Sequence, residues 1–171
     1  GLIGCGNIGA IVAERARGLK MRVLAYDPYL SDDRAAQLGV TKVELDELFA
    51  EADIITLHTP LTDATRNIID AGAIQKMKEG VRIINCARGG LVDEVALCGA
   101  LETGHVAGAA FDVFVEEPAK ENVLFGAPNF IATPHLGAST TEAQEKVALQ
   151  AAEQMSDYLL TGAVTNAVNM P

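Results

Sequence analysis

Leu2-Ile3-Gly4-Cys5-Gly6-Asn7-Ile8-Gly9 decides the fold: two apolar residues run into a Gly-x-Gly-x-x-Gly hexad, and a helical pattern follows from Ile8 to Arg17, before Gly18. Glycines at these spacings suit a tight turn at Gly4, close approach of a phosphate at Gly6, and close helix–strand packing at Gly9. The hexad alone is weak in a chain with 16 glycines. Its context strengthens it. Arg22-Val23-Leu24-Ala25-Tyr26 reads as the next strand and ends on Asp27, 23 residues beyond Gly4. An acid there accepts hydrogen bonds from ribose hydroxyls, and a pyrophosphate would sit over the helix N-terminus. The plain alternatives are an ordinary strand-to-helix turn for the glycines and a solvated strand end for Asp27.

Outward from that motif, strands and helices alternate. Asp32 to Leu38 reads as a short helix, Val40 to Val43 as a weak strand, Leu45 to Ala52 as a helix, and Ile54 to Leu57 as a strand. Ala71 to Met77 should be helical and Val81 to Asn85 extended. Asp93 is an N-cap for a helix that runs to Thr103 and stops at Gly104, and Val106 to Asp112 and Phe130 to Thr133 are the last strands. This pitch predicts an α/β fold: a Rossmann-type doubly wound parallel sheet with helices on both faces. Ser139-Thr140-Thr141-Glu142 has the Ser-x-x-Glu form of a capping box, so a helix is expected from there to about Leu160. Ala143, Val147, Ala151, Met155 and Tyr158 or Leu159 form its apolar stripe. At roughly 20 residues it would be about 30 Å long, enough to cross to a neighbouring domain. The expected organisation is a dinucleotide-binding domain over 1–160, with a truncated first strand and a long crossover helix at about 140–160. Residues 161–171 would be an exit segment towards a missing substrate domain.

Composition narrows the function. At 171 residues the chain fits one domain, and 49% apolar with 21% charged residues is a globular balance. No apolar run approaches the ~20 residues that cross a bilayer, so no membrane partner is expected. A formal charge of −10 argues against nucleic acid. An anionic cofactor would have to be held locally, by helix N–H groups and an arginine. Cys5, Cys86 and Cys98 share no metal-ligand spacing, so no metal is expected, and they read as buried, reduced thiols of a cytoplasmic protein.

The chemistry-bearing residues lie after later strands. Arg88, within Asn85-Cys86-Ala87-Arg88-Gly89-Gly90, follows a strand on the side where open α/β sheets bind ligands. Its guanidinium can grip a carboxylate through two parallel bonds, or serve only as a structural ion pair. Asp112 ends a strand and would face a nicotinamide carboxamide or solvent. Glu117 and His135, in Glu116-Glu117-Pro118 and Thr133-Pro134-His135-Leu136-Gly137, supply an acid and an imidazole. An imidazole with a pKa near ~6.5 can exchange a proton with a hydroxyl, and a carboxylate on its other nitrogen would fix its tautomer. His58 and His105 read as structural or surface residues. Pro28-Tyr29-Leu30 after Asp27 contains no Arg to neutralise a 2′-phosphate, which favours NAD over NADP. A methyltransferase could share the glycines and Asp27 but would not need Arg88, Glu117 and His135.

With these residues in view, the chain resembles the D-2-hydroxyacid dehydrogenase family over essentially its whole length. The resemblance is carried by Gly4 to Gly9, Asn85 to Glu94, Asp112 to Pro118 and Pro134 to Thr140. It implies catalytic roles for Arg88, Glu117 and His135. It implies NAD contacts at Gly4, Gly6, Asn7, Ile8, Gly9, Asp27, Thr59, Cys86, Ala87, Arg88, Asp112, His135, Gly137 and Ala138. It further implies a homodimer formed through this domain and a small anionic 2-hydroxy acid as substrate. D-3-phosphoglycerate is the first choice. Glyoxylate, hydroxypyruvate, D-lactate or formate, and a non-catalytic NAD-sensing scaffold, are the rivals. Family members acting on D-lactate and the scaffolds tend to carry an aromatic residue three positions after the His; this chain has Ala138 there, and no Trp.

Overall fold

In the computed structural model, residues 1–137, 139–167 and 169 are described. The chain divides into two compact units, Gly1–Pro134 and His135–Pro171. The first contains strands β1 (Leu2–Ile3), β2 (Leu24–Tyr26), β3 (Thr41–Lys42), β4 (Ile54–Leu57), β5 (Val81–Asn85), β6 (Val106–Phe111) and β7 (Phe130–Ala132). Between them run helices α1 (Asn7–Gly18), α2 (Asp32–Leu38), α3 (Leu45–Glu51), α4 (Ala71–Lys76) and α5 (Glu94–Thr103).

The strands pair in parallel in the order β3-β2-β1-β4-β5-β6-β7. From β1 the chain winds outward to β3, then returns to the other side of β1 and winds to β7. Strand order therefore reverses between β1 and β4, and a crevice is expected above their carboxyl ends. Successive strand residues point to opposite faces, so Leu2 and Ile3 enter different cores. Leu2 joins Ala13, Ala25, Ala35 and Val40 on the α1–α2 side. Ile3 joins Leu48, Phe49, Ile55, Leu57, Ile74, Ile83 and Leu97 on the α3–α5 side. The doubly wound sheet with helices on both faces is the expected one.

Several boundaries move for local reasons. Gly18 does not break α1 but lies in its last turn, and the chain reverses at Lys20, with φ 62°. There Lys20 N–H reaches Arg17 O at 2.8 Å and Met21 N–H reaches Ala16 O at 3.0 Å, closing the helix end. Asp112 and Thr133 fall just past β6 and β7, although their N–H groups still bond Asn85 O and Phe111 O. The expectation of buried thiols holds for Cys5 alone: Cys86 is exposed because it lies past the end of β5, and Cys98 on α5 is half-buried.

The second unit is dominated by α6 (Thr141–Thr161). Its N-cap is Thr140, not Ser139: Thr140 is extended (φ −73°, ψ 152°) and its Oγ1 accepts from Ala143 N–H at 3.2 Å. Ser139 Oγ instead donates to His135 O at 3.2 Å. No α6 residue is buried, so Val147, Met155, Tyr158 and Leu159 of the apolar stripe are exposed. Among the described residues, no helix is long and apolar enough to cross a membrane.

Candidate active site

The glycine turn works because main chain meets main chain. Gly4 has φ +93°, and a Cβ there would lie 2.7 Å from the carbonyl of His58 and 2.9 Å from Thr59 N. A Cβ on Gly9 would lie 2.2 Å from Gly4 O. At Gly6 nothing lies within 4 Å of the missing Cβ, and Gly6, Asn7 and Ile8 are exposed. Helix α1 has no side-chain cap and no acid in its first turn. Among the described helices it is alone in lacking both: α2, α4, α5 and α6 are capped by Ser31, Asp70, Asp93 and Thr140, and α3 carries Asp46 and Glu47. An anion above Gly6 would therefore meet unspent N–H groups and the positive end of a helix dipole.

Asp27 closes this half of the crevice. Its Oδ2 accepts Cys5 N–H and its Oδ1 accepts Tyr29 N–H, each at 2.8 Å. The two bonds hold the carboxylate against the glycine turn, and each oxygen keeps a lone pair for a ribose hydroxyl. These groups fit a dinucleotide.

The other half is shaped by Asn85, which sequence reading passed over as a strand end. Its buried amide donates from Nδ2 to Arg88 O at 2.9 Å and accepts Ala87 N–H at 3.1 Å, so it turns Cys86-Ala87-Arg88 outward. A short polar residue ending an apolar strand just before an Arg was the available signal. Arg88 is exposed, with Nη1 on Ala87 O at 2.6 Å. A Cβ on Gly89 would meet Phe114 O at 1.9 Å, so the Arg88 loop and the loop after β6 are in direct contact. In that second loop, Glu117 Oε1 accepts Phe114 N–H at 3.0 Å. Asp112 is buried, and its Oδ1 accepts Thr133 Oγ1–H at 2.5 Å.

The first unit thus brings Gly4, Gly6, Asn7, Ile8, Gly9, Asp27, Thr59, Cys86, Ala87, Arg88, Asp112 and Glu117 onto the carboxyl side of its sheet. His135 opens the second unit with φ 55°, and Gly137 lies two residues on. Ala138 lies outside the described residues. His58 Nε2 pairs with Thr56 Oγ1 at 3.0 Å, and burial pushes its imidazole below the usual range, towards the neutral form. His105 Nε2 lies 2.9 Å from Ile74 O. Among the described residues, no three His, Cys, Asp or Glu side chains could hold a metal ion.

Residues 1–137 match the family described as D-isomer specific 2-hydroxyacid dehydrogenase, NAD binding domain. The chain belongs to that family. Over 171 residues it is 53% identical to a D-3-phosphoglycerate dehydrogenase of Synechocystis, which covers all of this chain and 31% of that protein. It is 50% identical to one from Bacillus subtilis, covering all of this chain and 33% of the relative. The chain therefore spans about a third of the length of the curated relatives it matches. Among solved structures, a glyoxylate reductase from Paecilomyes thermophila superposes with TM-score 0.86 at 36% identity, covering 98% of this chain and 51% of the other. An NAD-complexed D-isomer specific 2-hydroxyacid dehydrogenase from Lactobacillus delbrueckii gives 0.85 at 33%, covering 98% and 55%. The cofactor of this domain is NAD.

Two outcomes follow from the dehydrogenase domain's geometry. Gly9→Ala drives a methyl into Gly4 O, so α1 must back away from the turn; NAD affinity, read by calorimetry, should fall at least tenfold while helix content by circular dichroism changes little. Although Cys86 is open to solvent past the end of β5, the protein around its thiol strips part of the hydration, and this partial desolvation, then the Asp112 charge, pushes the thiol up. Its thiolate is scarcer at neutral pH than that of an ordinary cysteine. Alkylation of Cys86 by iodoacetamide, followed by mass spectrometry, should therefore accelerate only at higher pH than for a model thiol. Asp112→Asn should bring that rise to lower pH.

Proposed function

We propose that this chain is the cofactor-binding part of an enzyme that oxidises D-3-phosphoglycerate to 3-phosphohydroxypyruvate with NAD, at the entrance to serine synthesis. The observation that carries the substrate choice is the 53% identity, across the whole chain, to a relative named for that reaction. The match to the glyoxylate reductase is lower, at 36%.

In this reading Arg88 grips the substrate carboxylate through two parallel N–H···O bonds. His135 takes the proton of the substrate hydroxyl as its carbon becomes a carbonyl. Glu117 orients that imidazole and stabilises its cation. Asp112, pinned by Thr133, faces the carboxamide end of the cofactor. Bound NAD supplies the acceptor for the hydride leaving the substrate carbon. The uncapped first turn of α1 takes the pyrophosphate and Asp27 the adenosine ribose. The exposed apolar stripe of α6 supports a crossover helix that is covered in the whole protein, by a substrate domain, by a second copy in a homodimer, or by both. A cytoplasmic location completes the proposal.

The test is an assay of the full-length gene product with NAD against D-3-phosphoglycerate, D-lactate, glycolate and D-glycerate. Fastest turnover, by kcat/KM, on D-3-phosphoglycerate is expected, and a preference for a non-phosphorylated acid would replace it with a sister dehydrogenase. His135→Ala should lower kcat by about 10²–10⁴-fold with NAD affinity nearly intact, the value of general acid–base help. Unchanged turnover would remove His135 from the mechanism.

A further inference from the structure

The acid Glu117 sits on an 18-residue connection between β6 and β7 that carries no strand or helix. A side chain on such a connection cannot orient anything unless the connection is held at both ends. One end is Phe114, 6% exposed, whose ring lies 6.4 Å from Phe111 and 6.5 Å from Phe130 by centroids. The other is Leu124, fully buried. Between them, Val115 to Pro118 and Lys120-Glu121 are exposed. What joins the two ends is a carboxylate from elsewhere. Glu94 Oε1 accepts Val115 N–H at 3.3 Å, and Glu94 Oε2 accepts Asn122 Nδ2–H at 2.7 Å. Asn122 Oδ1 in turn accepts Leu124 N–H at 2.9 Å, which settles the orientation of its amide.

Glu94 is the first residue of α5, and α5 does not need it as a cap: Asp93 Oδ1 already accepts Val95 and Ala96 N–H, both at 3.0 Å. Its charge is nevertheless favoured there, at the positive end of the helix. The connection that leads into it carries Arg88 and Gly89, and Gly89 lies against the carbonyl of Phe114. One short segment after β5 therefore presents the guanidinium and braces the loop of the acid at two points.

We propose that Glu94 is a positioning residue for Glu117: its carboxylate clasps both ends of the Val115–Asn122 excursion and sets where the acid stands relative to the Arg88 loop. The inference rests on the reading in which Glu117 backs His135.

The donor–acceptor pattern supplies its own test. In Glu94→Gln an NH2 group can face the NH2 of Asn122, and in Asn122→Asp two carboxylates face each other. The double variant E94Q/N122D exchanges donor and acceptor, keeps the Leu124 bond, and leaves the net charge as it was. Each variant would be made in the full-length gene product and assayed with NAD and the best acid of the panel, beside Glu117→Gln. Both single changes should lower kcat about 10- to 100-fold, the scale of a misplaced catalytic group, with KM for NAD within about twofold. They should also move the acid limb of kcat/KM to lower pH, because an imidazolium with weaker carboxylate support gives up its proton more readily. The double variant should recover both. A lowered melting temperature with kcat and the acid limb unmoved would make Glu94 merely structural, and a double variant no better than the singles would discard the clasp. If Glu117→Gln moves the limb and Glu94→Gln does not, the Glu94 role alone falls. If Glu117→Gln leaves it unmoved, the reading of Glu117 falls and Glu94's role with it.

Discussion

The first unit depends on backbone approaching backbone where side chains are missing. Gly9 lies against the carbonyl of Gly4, and Gly4 against the carbonyl of His58. These contacts seat the start of α1 at the junction of β1 and β4, where the strand order reverses. Any larger residue would push the helix away from the strand, and the open N–H groups would no longer face the crevice. The same device recurs on the opposite side, where Gly89 lies against Phe114 O and joins the loop of Arg88 to the loop of Glu117.

The charge problem has a local answer. The chain carries a formal −10 yet binds an anionic cofactor. Most of its helices begin with acids or side-chain caps that consume their N-terminal N–H groups, whereas α1 begins with Gly6, Asn7 and Ile8 and consumes none. A dispersed acidic surface is screened over about 8 Å in physiological salt, while N–H groups in contact are not. Asp27, the one acid at the glycine turn, is held by Cys5 and Tyr29 N–H groups in a role that needs an acceptor.

Polar side chains near the site act mainly on backbone. Asn85 shapes the Arg88 turn, Asp93 caps α5, and Asn122 fixes Leu124. Buried backbone groups must find partners, and supplying them from side chains lets irregular connections keep one shape next to a regular sheet. Asp112 differs: its carboxylate is steadied by another side chain, the Thr133 hydroxyl, just past the ends of β6 and β7.

Much of this was legible in the residues. Alternating apolar runs and Gly or Asp punctuation gave the strands and helices, because their periods differ and their caps have few chemical solutions; Asp32 to Leu38, Ile54 to Leu57 and Val81 to Asn85 agree to the residue. Gly4, Gly6 and Gly9 declared their roles because each lacks a side chain for a separate reason. Where choices were nearly equal, local pattern failed: Ser139 and Thr140 are both good caps, and Gly18 was a poorer guide to the helix end than Lys20. Sequence determined the fold, the family and the cofactor, since periodicity and the glycine spacing act over a few neighbours. Only the tertiary structure decided that Glu94 meets Val115 and Asn122, 21 and 28 residues away, and that Gly89 meets Phe114. Such pairings depend on how parallel strands bring distant connections to one edge, and no short stretch of chain encodes that.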